Sequence, residues 1–166
     1  MRTMRRVRQQ LTEAENKAVL ERGTHGIVGM MGEDGYPYTV PLSYVYHQGA
    51  IYFHCAKEGY KMDAIRACDK VSFTVVDSDD IKEEEYTTYY RSVIVFGRAA
   101  VVTEEAERRE AFLALACKYS PSMTMENHEA VVARSGAKAA VVKIVPDHMT
   151  GKEGIELVQA KKAGEN

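Results

Sequence analysis

The segment Tyr52–Lys61 (YFHCAKEGYK) concentrates side chains that can do chemistry. It reads as a strand end, a tight turn and a helix start. Free backbone N–H groups in the first turn of a helix attract phosphate, Lys61 adds a point charge, and Gly59 lets the main chain come close to an anion. An ordinary strand-to-helix turn with a surface lysine has the same local sequence. His54 can donate a proton or orient a substrate, although a lone histidine at a strand end is more often structural. A second segment, Pro37–Tyr44 (PYTVPLSY), carries two prolines on one parity of a strand. Proline removes a ladder donor, so Pro41 either marks a plain edge strand or leaves backbone groups free to meet the edge of a planar heterocycle. In a third, Thr88–Gly97 (TYYRSVIVFG), Arg91 and Ser92 could complete a phosphate or ring-edge site, or form a surface pair.

The elements around these segments follow from periodicity. Leu11 to Arg22 reads as a helix with capping-box spacing between Thr12 and Glu15 and a stop at Gly23. Thr24 to Met31 is a strand, followed by a turn at Gly32–Gly35. Tyr36, Tyr38, Val40, Leu42, Tyr44 and Tyr46 share one parity, which predicts a single long strand. A turn at His47–Gly49 leads to a hairpin strand over Ala50–Cys55. Glu58 to Ala67 is a short helix, and Lys70 to Val76 alternates as a strand. Asp77 to Glu85 holds six acids and one lysine and reads as a solvated loop. Tyr89 to Val102 is β-branched and aromatic, with Gly97 as a bulge or point of close approach. Thr103 is the expected cap of the next helix, supported by the pairs Glu104–Arg108 and Glu105–Arg109. Pro121 ends it, a second helix covers Glu126–Ala133, and Lys138–Val145 is the last strand. The tail from Lys161 reads as frayed and the basic start, Met1–Arg8, as a solvated arm or one that crosses to a partner subunit. Hairpin-spaced strands without βαβ alternation predict a mostly β, α+β chain: an antiparallel barrel with peripheral helices, in one domain.

Composition narrows the function. Apolar residues make up 45% and charged residues 28%, and the net charge of −2 gives no reason to expect nucleic acid. Cys55, Cys68 and Cys117 form no C-x-x-C pair, which argues against a disulfide framework or zinc site and fits a reducing cytoplasm. No apolar run approaches bilayer-spanning length, so no membrane partner is expected. There is no Walker A loop, no G-x-G-x-x-G and no G-x-S-x-G, which excludes the common nucleotide hydrolases, Rossmann enzymes and serine hydrolases.

Taken together, Met4–Thr12, Gly35–Val45, Ile51–Ala56, Gly59–Lys61, Tyr90–Ile94 and Thr150–Lys152 resemble the FMN-binding split-barrel family related to pyridoxamine 5′-phosphate oxidase, and most closely its nitroimidazole-resistance branch. The similarity covers nearly the whole chain, and the motifs are specific through their order and spacing. The resemblance implies a split β-barrel homodimer with two FMN sites at the interface. It implies that the backbone of Val40, Pro41, Leu42 and Ser43 faces the flavin ring, that His54, Cys55 and Ala56 flank the ring and ribityl chain, and that Lys61, with Gly59 and Tyr60, meets the phosphate. Arg91 and Ser92 would come from the neighbouring subunit, and Thr150, Gly151 and Lys152 are a weaker carry-over. His54 matches a histidine of that branch placed to touch substrate. The implied activity is an FMN-dependent oxidoreductase that reduces a small electron-poor acceptor such as a nitroaromatic, with NADH or NADPH as donor. The alternatives are a flavin-binding module without turnover, a pyridoxamine phosphate oxidase-like enzyme of the same fold, and the same fold with another cofactor such as a deazaflavin or haem. The chain has no tryptophan and no arginine after Asp147, whereas true pyridoxamine phosphate oxidases carry both in a C-terminal segment; that departure counts against the oxidase activity.

Overall fold

The computed structural model describes residues 3–164 of the 166-residue chain. Alternating apolar residues build one antiparallel sheet from β1 (Gly26–Met31), β2 (Pro37–Leu42), β3 (Val45–His47), β4 (Ala50–Ala56), β5 (Lys70–Lys82), β6 (Thr87–Val101) and β7 (Ala139–Glu153). The order across the sheet is β2-β1-β5-β6-β7-β4-β3. The sheet curls in the manner of a split barrel, and its edge strands β2 and β3 do not pair with each other. Val28, Phe73, Val95, Ile144 and Phe53 point inward and are fully buried. Helix α1 (Glu13–Arg22) adds Val19 and Leu20 to this core, and α2 (Tyr60–Ala67) adds Met62, Ala64 and Ile65. A second, smaller core lies on the outer face of β4 and β7. There Tyr52 and Val141 meet Ala111 and Leu115 of α3 (Glu105–Tyr119). Helix α4 (Met125–Ser135) packs beside α3, and α5 (Ile155–Ala163) closes the described chain.

The expected α+β class, the Thr12–Glu15 capping box and most strand positions are present. Gly97 is a point of close approach: a Cβ there would collide with the Val145 carbonyl oxygen. The neighbouring register step pairs Phe96 with His148 and Gly97 with Pro146, so the extra residue, Asp147, lies on β7.

Several expectations are corrected. The alternation over Tyr36–Tyr46 is not one strand. It breaks at Ser43–Tyr44 into β2 and β3, which lie on opposite edges of the sheet. Tyr44 is fully buried, and its backbone is satisfied by a side chain instead of a ladder: its N–H donates to the Tyr119 hydroxyl at 2.9 Å, and its carbonyl accepts from that hydroxyl at 3.0 Å. The acidic stretch is also not a loop. β5 runs through Lys82 with a bulge at Asp77, whose nearly buried carboxylate is held by Arg22 and Arg91. Glu104, not Thr103, caps α3, accepting from the amides of Ala106 and Glu107. With Glu104 so engaged, Arg108 turns to Glu105, and Arg109 reaches Glu129 on α4.

The short helix begins at Tyr60, not Glu58, and β7 continues eight residues past Val145, to Glu153. The tail from Lys161 is not frayed as far as it is described: Lys161 lies in α5 and bonds Glu15 and Glu153, while positions 165 and 166 lie outside the described residues. The basic arm is anchored by a 3-10 turn over Val7–Gln9, a bridge from Gln10 to Lys152, and Leu11 N–H donating to the Gly151 carbonyl; its first two residues lie outside the description. Among the described residues no helix is long and apolar enough to cross a membrane, and no cluster of His, Cys, Asp and Glu could hold a metal. All three cysteines are free.

Candidate functional site

Strand β4 divides the predicted site residues between two faces, because successive side chains of a strand point to opposite sides. Phe53 and Cys55 face the barrel interior, whereas His54 and Ala56 are exposed on the outer face beside α3. Burial pushes the Cys55 thiol's pKa up against the opposing effect of the Lys61 charge, and its Sγ lies 3.5 Å from Met62 Sδ. A protonated, half-buried thiol is a packing group and a poor nucleophile.

The turn after β4 depends on Gly59, whose φ of +120° suits glycine alone. Gly59 is the N-cap of α2 and offers no side-chain cap. Its carbonyl accepts from the amides of Met62 and Asp63, while the amides of Tyr60 and Lys61 make no hydrogen bond among the described residues. The half-buried Lys61 ammonium has no carboxylate partner among them either and sits 5.6 Å from the centre of the Phe53 ring. Tyr60 turns away from the helix mouth. Its hydroxyl accepts from Glu33 N–H and donates to Asp34, both at 3.2 Å, and its ring meets Tyr38 edge-on at 4.8 Å. Tyr60 thus pins α2 to the β1–β2 turn, leaving two amides and one ammonium as an open donor set.

On β2, Val40 and Leu42 lean on the core, while Pro41, and Ser43 just past the strand end, are exposed. Pro41 pairs with Ile27, and β2 is an edge strand, so one of its sides is free of ladder partners. Ser43 and His54 come together on a cavity of about 520 Å³. Its far wall is Phe112, Leu115, Ala116 and Tyr119 of α3 with Val131 and Val132 of α4, and Gly136 and Ala139 complete it. The His54 and Phe112 rings lie 6.0 Å apart at a tilt of 44°. These helical residues were not singled out from the sequence. Phe112, Leu115, Ala116 and Tyr119 follow i, i+3, i+4, i+7 spacing, the signal of a buried helix face that could have found them.

The third predicted group lies elsewhere. Arg91 is bound to Glu153 at 3.1 Å and to Asp77 at 3.4 Å, within a network that also takes in Arg22, Lys161 and Glu15. Ser92 lies opposite Lys152 on β6–β7, and Thr150 lies opposite Ile94. Gly151 has no room for a side chain, because Asn16 and Leu11 fill that space. The Lys152 ammonium lies 5.2 Å from the Tyr90 ring centre. Along β7, His54 is opposite Val141 and Ser92 is opposite Lys152. Those eleven residues correspond to roughly 35 Å of strand contour. Within one chain, His54 and Ser92 therefore belong to different ends of the sheet.

The sequence model of the pyridoxamine 5′-phosphate oxidase family matches residues 12–153, which include β1 to β7 and both β4 and the α2 turn. The chain belongs to the pyridoxamine 5′-phosphate oxidase family. Solved structures share the fold of this family member at low identity. A candidate 5-nitroimidazole antibiotic resistance protein from Bacteroides thetaiotaomicron superposes with a TM-score of 0.73 at 19% identity, over 87% of this chain and 86% of that one. A conserved hypothetical protein from Mycobacterium tuberculosis gives 0.78 at 22% identity, over 91% and 90%. An FAD-binding protein from Mesorhizobium loti gives 0.65 at 22% identity, over 88% and 97%. No curated protein matches the chain.

Proposed function

We propose that this chain is a homodimeric, FMN-dependent reductase of a small electron-poor acceptor such as a nitroaromatic. The observation that carries the reading is the open donor set at the start of α2. Two unpaired amides and an unpaired ammonium, next to a glycine with open space around it, fit a phosphate monoester. FMN and FAD both carry phosphate, and the FAD-binding protein among the structural relatives keeps a flavin of either kind in view. FMN is favoured because the donor set is small and local.

The dimer is supported by an uncovered sheet face. Pro41, Ile27, Thr74, Ile94 and Thr150 form one cross-strand row on it, and Ile27, Ile94, Phe96 and Val76 are 39%, 37%, 37% and 50% exposed there. A contiguous apolar patch of this kind marks an interaction surface. Ser92 and Lys152 lie in the same face beside Val76. If they contact the flavin held at Lys61 and reaching toward His54, they do so from the partner subunit, since one chain keeps the groups apart.

Bound flavin supplies the electron transfer, and the protein positions it. Lys61 neutralises phosphate charge and the α2 amides fix its position. His54, exposed at the cavity mouth, delivers a proton from a ring nitrogen to the acceptor. Its replacement by alanine leaves flavin content unchanged and slows acceptor reduction; unchanged turnover in His54→Ala protein would make the histidine structural. A flavin-binding module without turnover is favoured by one observation. Among the described residues, His54 and Tyr119 are the only titratable side chains on the cavity, and the Tyr119 hydroxyl is committed to Tyr44 and the Thr24 carbonyl. Anaerobic mixing with NADH and with NADPH separates the two readings: bleaching of the flavin supports the reductase, and its absence with both donors supports the module.

A further inference from the structure

We infer that the cavity beneath α3 and α4 is the acceptor pocket, and that it takes an uncharged, flat, largely apolar ring molecule of the quinone or neutral nitroaryl type and rejects anions. This deepens the reductase reading and rests on it for the word acceptor; the binding claim stands on the cavity itself. A volume of about 520 Å³ lies in the range of small-molecule pockets, ~300–1,000 Å³. Among the described residues no Asp, Glu, Lys or Arg lines it. The Tyr119 hydroxyl is already engaged: it accepts from the Tyr44 amide, and its one proton is shared between the Tyr44 and Thr24 carbonyls. Among the described residues that leaves the Ser43 hydroxyl and the His54 ring as the available polar side-chain groups, both on exposed residues. Apart from the His54 ring, an anion in the pocket would meet no lining side chain that carries a counter-charge, and a poorly paired charge on an apolar wall is disfavoured.

The walls favour a flat guest. Phe112 is held from one side by the Arg108 guanidinium, 5.6 Å from its ring centre, and that guanidinium is itself engaged by Glu105 and the Gly136 carbonyl. The fixed phenyl ring, tilted against His54, offers a planar surface on which an aromatic guest stacks offset or edge-on. Gly136 adds a second observation. Its φ of −60° and ψ of −35° are ordinary helical values that any residue adopts, so the backbone does not require glycine. A Cβ there would touch Phe112 and Val132 at 3.6 and 3.7 Å, which is normal contact. The missing side chain leaves room for a methyl group against Phe112 and Val132, both of which line the pocket.

The test compares menadione with 1,2-naphthoquinone-4-sulfonate, two naphthoquinones of which only the second carries an anion, by calorimetry on the protein as purified. Menadione binds, and the sulfonate binds at least about tenfold more weakly. Ala116→Leu, which puts added carbons into the pocket, weakens menadione at least about tenfold with the flavin per chain unchanged. Gly136→Ala does so more mildly and also serves if Ala116→Leu does not fold, since alanine suits the helical backbone there. Equal binding of the two quinones, menadione affinity unmoved in a folded variant, or loss of flavin in place of menadione would each overturn the inference. Protein that purifies without flavin and takes up none, yet binds menadione in an Ala116-dependent way, would sink the flavin reading and leave the pocket standing.

Discussion

Replacing Glu153 by alanine removes the junction of the ion network that joins α1, α5 and the β5–β6–β7 part of the sheet. The Glu153 side chain is only 4% exposed and accepts from Arg91 at 3.1 Å and from Lys161 at 2.6 Å. Orphaning a buried charge costs about 3–5 kcal/mol. Here neither cation is orphaned: Arg91 keeps Asp77, and Lys161 keeps Glu15. Both are also partly exposed, at 24% and 34%. The expected loss is therefore smaller, about 2–3 kcal/mol for two charge-assisted hydrogen bonds and a vacated buried site. For a chain of this size each kcal/mol moves the melting temperature by about 2–4 °C, so Glu153→Ala falls by roughly 4–12 °C. Thermal unfolding followed by circular dichroism at neutral pH reads this directly. Glu153→Gln keeps the volume and one acceptor and should fall less. Because Lys161 acts through Glu153, Lys161→Ala should cost less in the Glu153→Ala background than in the parent, with coupling above ~0.5 kcal/mol. A drop below about 2 °C, or equal effects of Lys161→Ala in both backgrounds, would refute the reasoning.

Two other substitutions give distinct signatures. Lys118 Nζ is buried without a hydrogen bond, 4.2 Å from the Tyr44 ring centre, and desolvation pushes its pKa down to about 8. Between that value and the ordinary 10.5, the unfolded chain binds the proton that the folded chain has released, so this group's contribution to stability rises with pH. Lys118→Met should therefore raise the melting temperature at neutral pH, with the gain shrinking through the alkaline range; a gain that does not change with pH contradicts the desolvation argument. Lys61→Ala should weaken FMN by about tenfold or more, the worth of a charged hydrogen bond, and riboflavin much less, because only FMN carries the phosphate. Equal losses in fluorescence titrations of the two ligands would remove Lys61 from the phosphate site.

The sequence is readable where local pattern and global packing agree. The Thr12–Glu15 cap, the Gly59 turn and the inward alternation of Val71, Phe73 and Val75 are local signals that the fold keeps. It misleads where a distant side chain takes over. The alternation through Tyr44 carries no mark of the break, because the hydroxyl that replaces the ladder comes from Tyr119, 75 residues away. The acids of Asp77–Lys82 look solvated until Arg22 and Arg91 are known to meet Asp77 at a bulge. Helix α5 owes its docking to Lys161, whose partners Glu15 and Glu153 are separated in sequence by 138 residues. In the candidate site, the His54 and Lys61 segment was visible as a strand–turn–helix motif. The wall that makes a cavity beside His54 was not, since the spacing of Phe112 and Tyr119 marks a buried helix face without saying what it packs against. Arg91 was legible as a functional residue type, and the structure gives its guanidinium to Glu153 and Asp77.

The central claim is that the α2 turn holds the phosphate of a flavin. The most direct measurement is the absorption spectrum of the purified protein, with the mass of whatever it releases on denaturation. The account predicts the two visible flavin bands and the mass of FMN. The mass of FAD would keep the flavin and overturn the choice of FMN. Colourless protein that stays colourless after incubation with FMN and dialysis would contradict the claim itself.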